Sequence, residues 1–322
     1  MAIDHQQADH PKADEVEPTA APSSAEANRQ PSRFNPGRVV AWVVLGLIIA
    51  ITILPFYWIL RTGLSTNAAL FSGDQSFLPP DATLVNFRRV LGLATAEEVR
   101  AAGGSGAELN FWLYLRNSVI VATLITVGQV TFSAMAAYAF SRLEFRGREF
   151  IFYLFISALM IPPVFIVIPN FIFLNTLGLL DTFAAVIAPF VFMTPFTVFF
   201  LRQFFLGINR QTEEAAKVDG AGHITIFTRI AVPMMAAPLA TAAILAYTMA
   251  WNEYMWPLVV GQDPSVRVLT VALSLFRSGT PQAAPDWSGL MAATFLAALP
   301  IILLFMVMGR RVVDSIQFSG VK

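Results

Sequence analysis

Six apolar runs, each about long enough to cross a membrane, constrain this chain more than any other feature. They fall near 39–60, 113–140, 150–169, 183–204, 236–260 and 288–309. A bilayer core of roughly 30 Å takes about 20 residues of helix to cross. Hydrocarbon offers no partner to backbone N–H and C=O groups, so a spanning segment must close its hydrogen bonds internally, as a helix does. The expected fold class is all-α, a polytopic membrane protein with six transmembrane helices. Composition supports this: of 322 residues, 56% are hydrophobic and only 13% charged, with mean hydropathy +0.63, outside the range of soluble domains. The run from Val39 to Leu60 follows Arg33 and Arg38. It is too long for a signal-peptide core and no small-residue cleavage site follows it, so it reads as a retained helix. Residues 1–37, rich in Ala, Pro, Asp, Glu, Gln and Ser, cannot bury enough apolar surface to offset their ordering entropy. They are expected to form a disordered tail, with the membrane domain at 38–322.

Charge placement sets the orientation, because cytoplasmic loops retain Lys and Arg. With the N-terminus inside, the inner segments hold 14 of the 21 basic residues and the outer ones 7. Both termini are therefore expected in the cytoplasm, together with a tight loop bearing Arg142, Arg146 and Arg148. Net charge is zero, which argues against a broad nucleic-acid-binding field. The absence of cysteine excludes disulfides, Cys-based zinc sites and a catalytic thiol, and only His5, His10 and His223 remain as imidazole ligands. Neither a metal cluster nor a Ser-His-acid set suggests itself, so no catalytic or metal-ligating residue is assigned. No Gly-Lys pair occurs anywhere, and with it goes any P-loop for ATP.

Between the fourth and fifth runs lies a polar stretch, residues 210–235. Thr212 is the expected N-cap of a short helix, with Glu213 and Glu214 in its first turn, where carboxylates suit the helix dipole. Gly220 can take the positive φ that ends such a helix. Ala215 and Ala216 keep one face small, and Ile224, Ile226, Phe227 and Ile230 give the following segment an apolar face before Pro233. A helix presented in this way suits a groove on a partner; the plainer reading is an amphipathic segment lying at the membrane surface.

The spacing here is Glu214-Ala215-Ala216, three residues, Gly220, nine residues, Ile230, two residues, Pro233. It resembles the coupling loop, or EAA motif, of importer permeases of the ATP-binding cassette class. Further phrases narrow the resemblance to maltose-type sugar permeases, specifically the smaller six-helix subunit. They are Leu78-Pro79-Pro80-Asp81-Ala82-Thr83-Leu84-Val85-Asn86-Phe87, Arg116-Asn117-Ser118, and Ala136 to Arg142 with Phe145-Arg146-Gly147-Arg148. Leu177-Gly178-Leu179-Leu180-Asp181-Thr182, Trp251-Asn252-Glu253-Tyr254 and the terminal Gly320-Val321-Lys322 complete the set. Asn209, where the family usually has proline, and Val232, where it has leucine, are departures.

The resemblance implies a type I importer permease fold in a bacterial inner membrane. It also implies that Glu214, Ala215, Ala216, Asp219, Gly220, Ile230 and Pro233 couple to an ATPase. The implied partners are a homologous permease in a heterodimer, two ATPase subunits and an extracytoplasmic solute-binding protein, with a sugar as substrate, lipid around the chain and no nucleic acid. ATP and Mg would sit on the ATPases, this chain carrying no cofactor and acting as a transport subunit rather than an enzyme. The loop near 61–112 is the candidate surface for the binding protein. Another importer substrate, such as a glycerol phosphate or polyol, and an ATP-independent secondary transporter remain as alternatives.

Polar residues within the runs are the candidates for a translocation path. A carboxylate at helix-centre depth costs about 2.5–3.5 kcal/mol on insertion scales, so Glu253 should face protein or water. Counted from Pro238 it stands about 22 Å up the fifth helix. Asn252, Glu253, Tyr254 and Gln129 either border a sugar vestibule or pair with neighbouring helices, and the residues leave both open. Ser133, Ala137 and the adjacent alanines make a small-residue face suited to helix packing. Pro162, Pro163, Pro169, Pro189, Pro195 and Pro300 should each remove a backbone hydrogen bond and bend their helix.

Overall fold

The computed structural model describes residues 36–72, 76–280 and 285–318. The expected tail up to residue 35 and the terminal Gly320-Val321-Lys322 lie outside them. Among the described residues every regular element is helical, and a single antiparallel bridge joins Ser65 to Ala82. The chain divides into two compact units, Met1–Thr52 and Ile53–Lys322. In the first, every described side chain from Gly37 to Thr52 is exposed, and Thr52 Oγ1 donates to the Ile48 carbonyl at 2.7 Å. That pattern suits a helix whose surroundings are apolar on all sides.

In chain order the elements are α1 Pro36–Gly63, α2 Asn67–Leu70, α3 Val85–Val90, α4 Ala96–Ala101 and α5 Phe111–Arg142. Then come α6 Arg148–Ser157, a 3-10 turn Ala158–Met160, α7 Val164–Thr176, α8 Phe183–Ile187 and α9 Pro195–Gly207. The polar stretch forms α10 Arg210–Val218, α11 His223–Ile226, a π-helical turn Phe227–Ala231 and α12 Val232–Met234. Last are α13 Ala236–Asn252, α14 Met255–Val260, α15 Leu269–Ser278 and α16 Trp287–Phe318.

Among the described residues, three helices are long and apolar enough to cross a membrane unbroken: Gly37–Gly63, Phe111–Arg142 and Trp287–Gly309. The other expected spans are interrupted, and proline explains where. Near 150–169 the helix stops at Met160, and α7 leaves at 100° after Pro162 and Pro163, whose rings exclude an i−4 carbonyl. The run 183–204 is two helices. Thr194, extended as a residue before proline prefers (φ −112°, ψ 147°), precedes Pro195 at the first position of α9. The run 236–260 breaks at Glu253, which is extended (φ −64°, ψ 128°). Pro257 can neither donate to the Glu253 carbonyl nor tolerate it in helical position, and instead sits in the first turn of α14. A further bend of 80° separates His223–Met234 from α13.

Around α5 the bundle closes: α9 and α13 pack along it, and α16 packs on α13. Ala122, Ala137, Ala292, Ala293 and Ser133 are fully buried, the small residues that let membrane helices approach. One apolar cluster centres on Val121, Ile125, Val186, Trp256 and Val260. Another lies towards the C-terminal end of α5, with Tyr138, Leu201, Phe205, Ile226 and Met235.

Candidate functional site

Where α5 ends, its last residue meets the polar stretch. Asn209, not Thr212, caps α10: its side chain accepts from the Gln211 N–H at 3.0 Å. Thr212 is instead the third residue of the helix, while Glu213 stands in its first turn as expected. An asparagine at this position supplies the cap oxygen that a proline would lack. Gly220 ends the helix as expected, at φ +82°. The Ala221 N–H reaches the Ala216 carbonyl at 2.9 Å and the Gly220 N–H reaches Lys217 at 3.0 Å, the paired bonds of a Schellman stop. Pro233 has no N–H for the Arg229 carbonyl, and just before it the Val232 N–H reaches back to Phe227 through the π turn.

The two glutamates of α10 point apart. Glu213 is the buried residue of that helix, and its Oε1 stands 3.2 Å from Arg142 Nε, with 8% and 3% of the two side chains exposed. Arg142 also donates through Nη2 to the Ile208 carbonyl at 2.6 Å and to that of Phe205, both at the end of α9. Glu214, Ala215 and Asp219 are exposed, Ala216 and Ile230 are half-buried, and Pro233 is exposed. Ile226 is fully buried, with the Phe227 ring 5.1 Å from that of Tyr138. Val218 and Ile224, by contrast, are 88% and 80% exposed, two apolar side chains on either side of the Gly220 turn. Of the expected apolar face, Ile224 thus turns outward. Beside α10 lies an open groove of about 540 Å³ lined by Arg142, Glu144, Arg210, Glu213, Glu214, Lys217 and His223 among others.

A second cavity, of about 320 Å³, lies among α5, α8, α9 and α13. Gln129 and Glu253 both line it, whereas Asn252 and Tyr254 do not. Asn252 donates to the Thr248 carbonyl at 2.8 Å and Tyr254 pairs with the Ser274 hydroxyl at 3.0 Å. Gln129 Nε2 donates to Thr194 Oγ1 at 3.1 Å and Thr197 Oγ1 at 3.0 Å, and Ser133 Oγ accepts from the Thr194 N–H at 3.3 Å. Ser133 thus satisfies a backbone N–H of the non-helical segment between α8 and α9, as such backbone requires at membrane depth, and Gln129 holds the two threonine hydroxyls beside it. Glu253 Oε1 accepts from the Trp256 N–H at 3.1 Å, capping α14, and Thr270 Oγ1 donates to its carbonyl at 2.8 Å. Both residues therefore serve the broken helices and still face the cavity.

Residues 129–317 match the family described as binding-protein-dependent transport system inner membrane component. The chain belongs to this family. This permease is 32% identical over 287 residues to a probable ABC transporter permease, YurM, of Bacillus subtilis, covering 89% of each chain. It is 31% identical to the trehalose/maltose transport system permease protein MalG of Thermococcus litoralis, over 87% of this chain and 96% of that one. Its fold is shared with a chain in the crystal structure of a bacterial ABC transporter involved in import of the acidic polysaccharide alginate. There the TM-score is 0.71 at 23% identity, covering 85% of the permease and 96% of that chain.

At the opposite, N-terminal end of α5 the permease is stitched by side chains that capture loop backbone, a set of contacts invisible to the sequence reading except through its recurrent phrases. Asn117, fully buried, donates to the Ser265 and Arg267 carbonyls at 2.9 and 3.0 Å, and Ser118 Oγ accepts from the Leu269 N–H at 2.8 Å. Asp181, at φ +58°, accepts from the N–H groups of Gln262 and Asp263 at 2.7 and 2.9 Å. Asn86 donates to Gly63 and Ser65 at 2.9 and 2.8 Å. The start of α16 is capped from afar: Asn67 Oδ1 accepts from Trp287 N at 3.1 Å, and Asp286 Oδ1 from Gly289 N at 2.9 Å. Arg89 pairs with the fully buried Asp286 side chain and donates to the Ser105 carbonyl at 2.8 Å. These capture points explain why Asn86, Asn117, Ser118 and Asp181 stand in those phrases.

Proposed function

We propose that this permease is the smaller, six-span half of an ATP-driven sugar importer, working with a sibling permease, two ATPases and an extracytoplasmic binding protein. The observation that carries the reading is the geometry of the α10 segment: its inner face is anchored in the bundle while Glu214, Ala215, Val218 and Ile224 stand free around a glycine turn. Two exposed apolar side chains framing a charged helix suit insertion into a protein groove better than contact with water. ATP and Mg would reside on the ATPases. Closure of those subunits would drive alternating access, with both termini of the permease on the ATPase side.

Gln129 and Glu253 are the path residues this reading keeps, since they share the cavity. A carbohydrate fits its chemistry: an amide and a carboxylate for hydroxyls, with Phe190, Phe196 and Phe200 for the faces of sugar rings. Its lining residues include neither Lys nor Arg, a poor complement to a phosphorylated solute. Sugar names among the relatives support the same class.

Purification of the tagged permease in mild detergent, with native mass spectrometry, tests the proposal. One homologous permease and two Walker-motif ATPases are expected to remain bound. Gly220→Pro, which fixes φ near −65° where +82° is required, is expected to abolish ATP-driven uptake without preventing insertion. A chain that purifies alone and moves solute in liposomes without ATP would sink the importer reading in favour of a secondary transporter.

A further inference from the structure

The buried face of α10 carries a charge where an apolar knob would be the ordinary solution. A nine-residue helix is too short to hold itself in water, so its contacts with the bundle decide whether it moves with the bundle or slides over it. Those contacts are the small Ala216 against the apolar cluster and the carboxylate of Glu213. That carboxylate faces a guanidinium which closes α5 and also binds the last carbonyls of α9, at Phe205 and Ile208. Three helix ends meet at Arg142. Carbonyls at a helix C-terminus attract a cation, and its remaining charge is met by Glu213.

We propose that the Arg142–Glu213 pair is a positioning link that makes α5 and α9 follow α10. It rests on the importer reading above and assigns Glu213 a role distinct from that of exposed Glu214. The covalent route out of α10 runs through α11, a π turn and an 80° bend into α13. Such a route can absorb motion. The ion pair bypasses it, and it joins α10 directly to the two helices that contribute Gln129, Thr194 and Thr197 to the cavity side. Arg142 Nε and Glu213 Oε1 are both buried without a hydrogen-bond partner, and the charged group each faces is the other, at 3.2 Å. An ion pair is directional and resists sliding in a way that apolar contact does not.

The test uses the full assembly in proteoliposomes: permease, sibling, ATPases and binding protein. R142Q or E213Q alone leaves a buried charge unpaired and is expected to destabilise the fold. The double variant R142Q/E213Q removes both charges and is expected to melt and assemble as the wild type does, while solute moved per ATP hydrolysed falls about fivefold or more, the lower end of coupling between sites. E213D keeps both charges but withdraws the carboxylate, and should lower the same ratio with the assembly intact. If R142Q/E213Q or E213D transports at the wild-type ratio, the pair is packing alone and the inference is overturned. A wild-type assembly without ATP-dependent uptake would instead overturn the importer reading, and this inference with it.

Discussion

The two ends of α5 are built on opposite principles. At its N-terminal end, buried Asn67, Asn117 and Asp286, each no more than 3% exposed, grip loop backbone through several hydrogen bonds apiece. Around its C-terminal end, the polar stretch is anchored by one ion pair and an apolar cluster, and leaves Val218 and Ile224 bare. Loops that must keep one shape are fixed by satisfying their own backbone groups, each net bond giving about 1 kcal/mol and each broken one costing more. Segments that must meet a partner keep apolar surface unspent. On the importer reading proposed above, the first end is a scaffold and the second an interface, even though both consist of short helices between loops.

That contrast breaks if substitutions at the interface end unfold the protein. The largest effect is expected from Val218→Asp with Ile224→Asp. Both side chains are already solvent-exposed, so melting should not change. Placing charge in a partner groove should cost a hot-spot contact of ~2 kcal/mol each, which is about 30-fold in affinity per site. Loss of ATPase co-purification with unchanged melting is the expected result. A fall in melting temperature would mean these residues are buried by the bundle itself, and the division of labour would fail.

Next in size is the scaffold. Asp286→Ala leaves Arg89 without its buried partner and removes the cap from the Gly289 N–H, a loss of about 3–5 kcal/mol by analogy with other broken buried pairs. Thermal melting in detergent should show it, while the molecules that remain folded should move as much solute per ATP as before. A reduced ratio in those survivors would erase the distinction between the two ends.

Between the ends, Gly128 sharpens the picture of the broken helices. A Cβ there would come within 2.3 Å of Val191 Cγ2 and 2.6 Å of the Val191 carbonyl oxygen, so the non-helical segment before Pro195 lies directly on α5. Gly128→Ala should cost about 1–3 kcal/mol as overpacking and should disturb the neighbouring Gln129 contacts with Thr194 and Thr197. Melting that matches the wild type would show the segment free to retreat.

How much of this was legible beforehand follows the range of the interaction. The Gly220 stop was readable because positive φ at the end of a helix is a local demand that glycine meets. Helix content and the main apolar runs were readable because hydrocarbon leaves few options. Prolines 162 and 163 pointed to the bend they cause. What escaped was set by residues distant in sequence. Thr212 had the right chemistry for a cap, but Asn209 took the role because the helix starts where α9 lets the chain turn. Glu213 and Glu214 are indistinguishable as letters, and only Arg142, 71 positions earlier and held at the end of α9, separates them. Gln129 looked like a choice between packing and path, and it serves packing while facing the cavity because the break before Pro195 brings two threonines to it.

The smallest predicted effect tests the scaffold end at its edge, where solvent screens every charge. Glu98 accepts from the Thr95 N–H at 2.8 Å, pairs with Arg88 at 3.0 Å, and closes a capping box on α4. The backbone bond from Thr95, followed by the Arg88 contact, holds its carboxyl below the ordinary 4.5. A depressed carboxylate contributes stability that is present above the unfolded value and is lost as pH falls through the folded one. The amides of α4 should therefore lose protection from hydrogen exchange as the medium is acidified below the ordinary glutamate range, and Glu98→Gln should flatten that dependence. Because Glu98 is exposed, the change should stay within α4 and leave melting of the bundle untouched. Loss of protection spreading to the start of α16 would instead show that this edge is coupled to the Arg89–Asp286 clasp, making the scaffold one cooperative unit out to its surface.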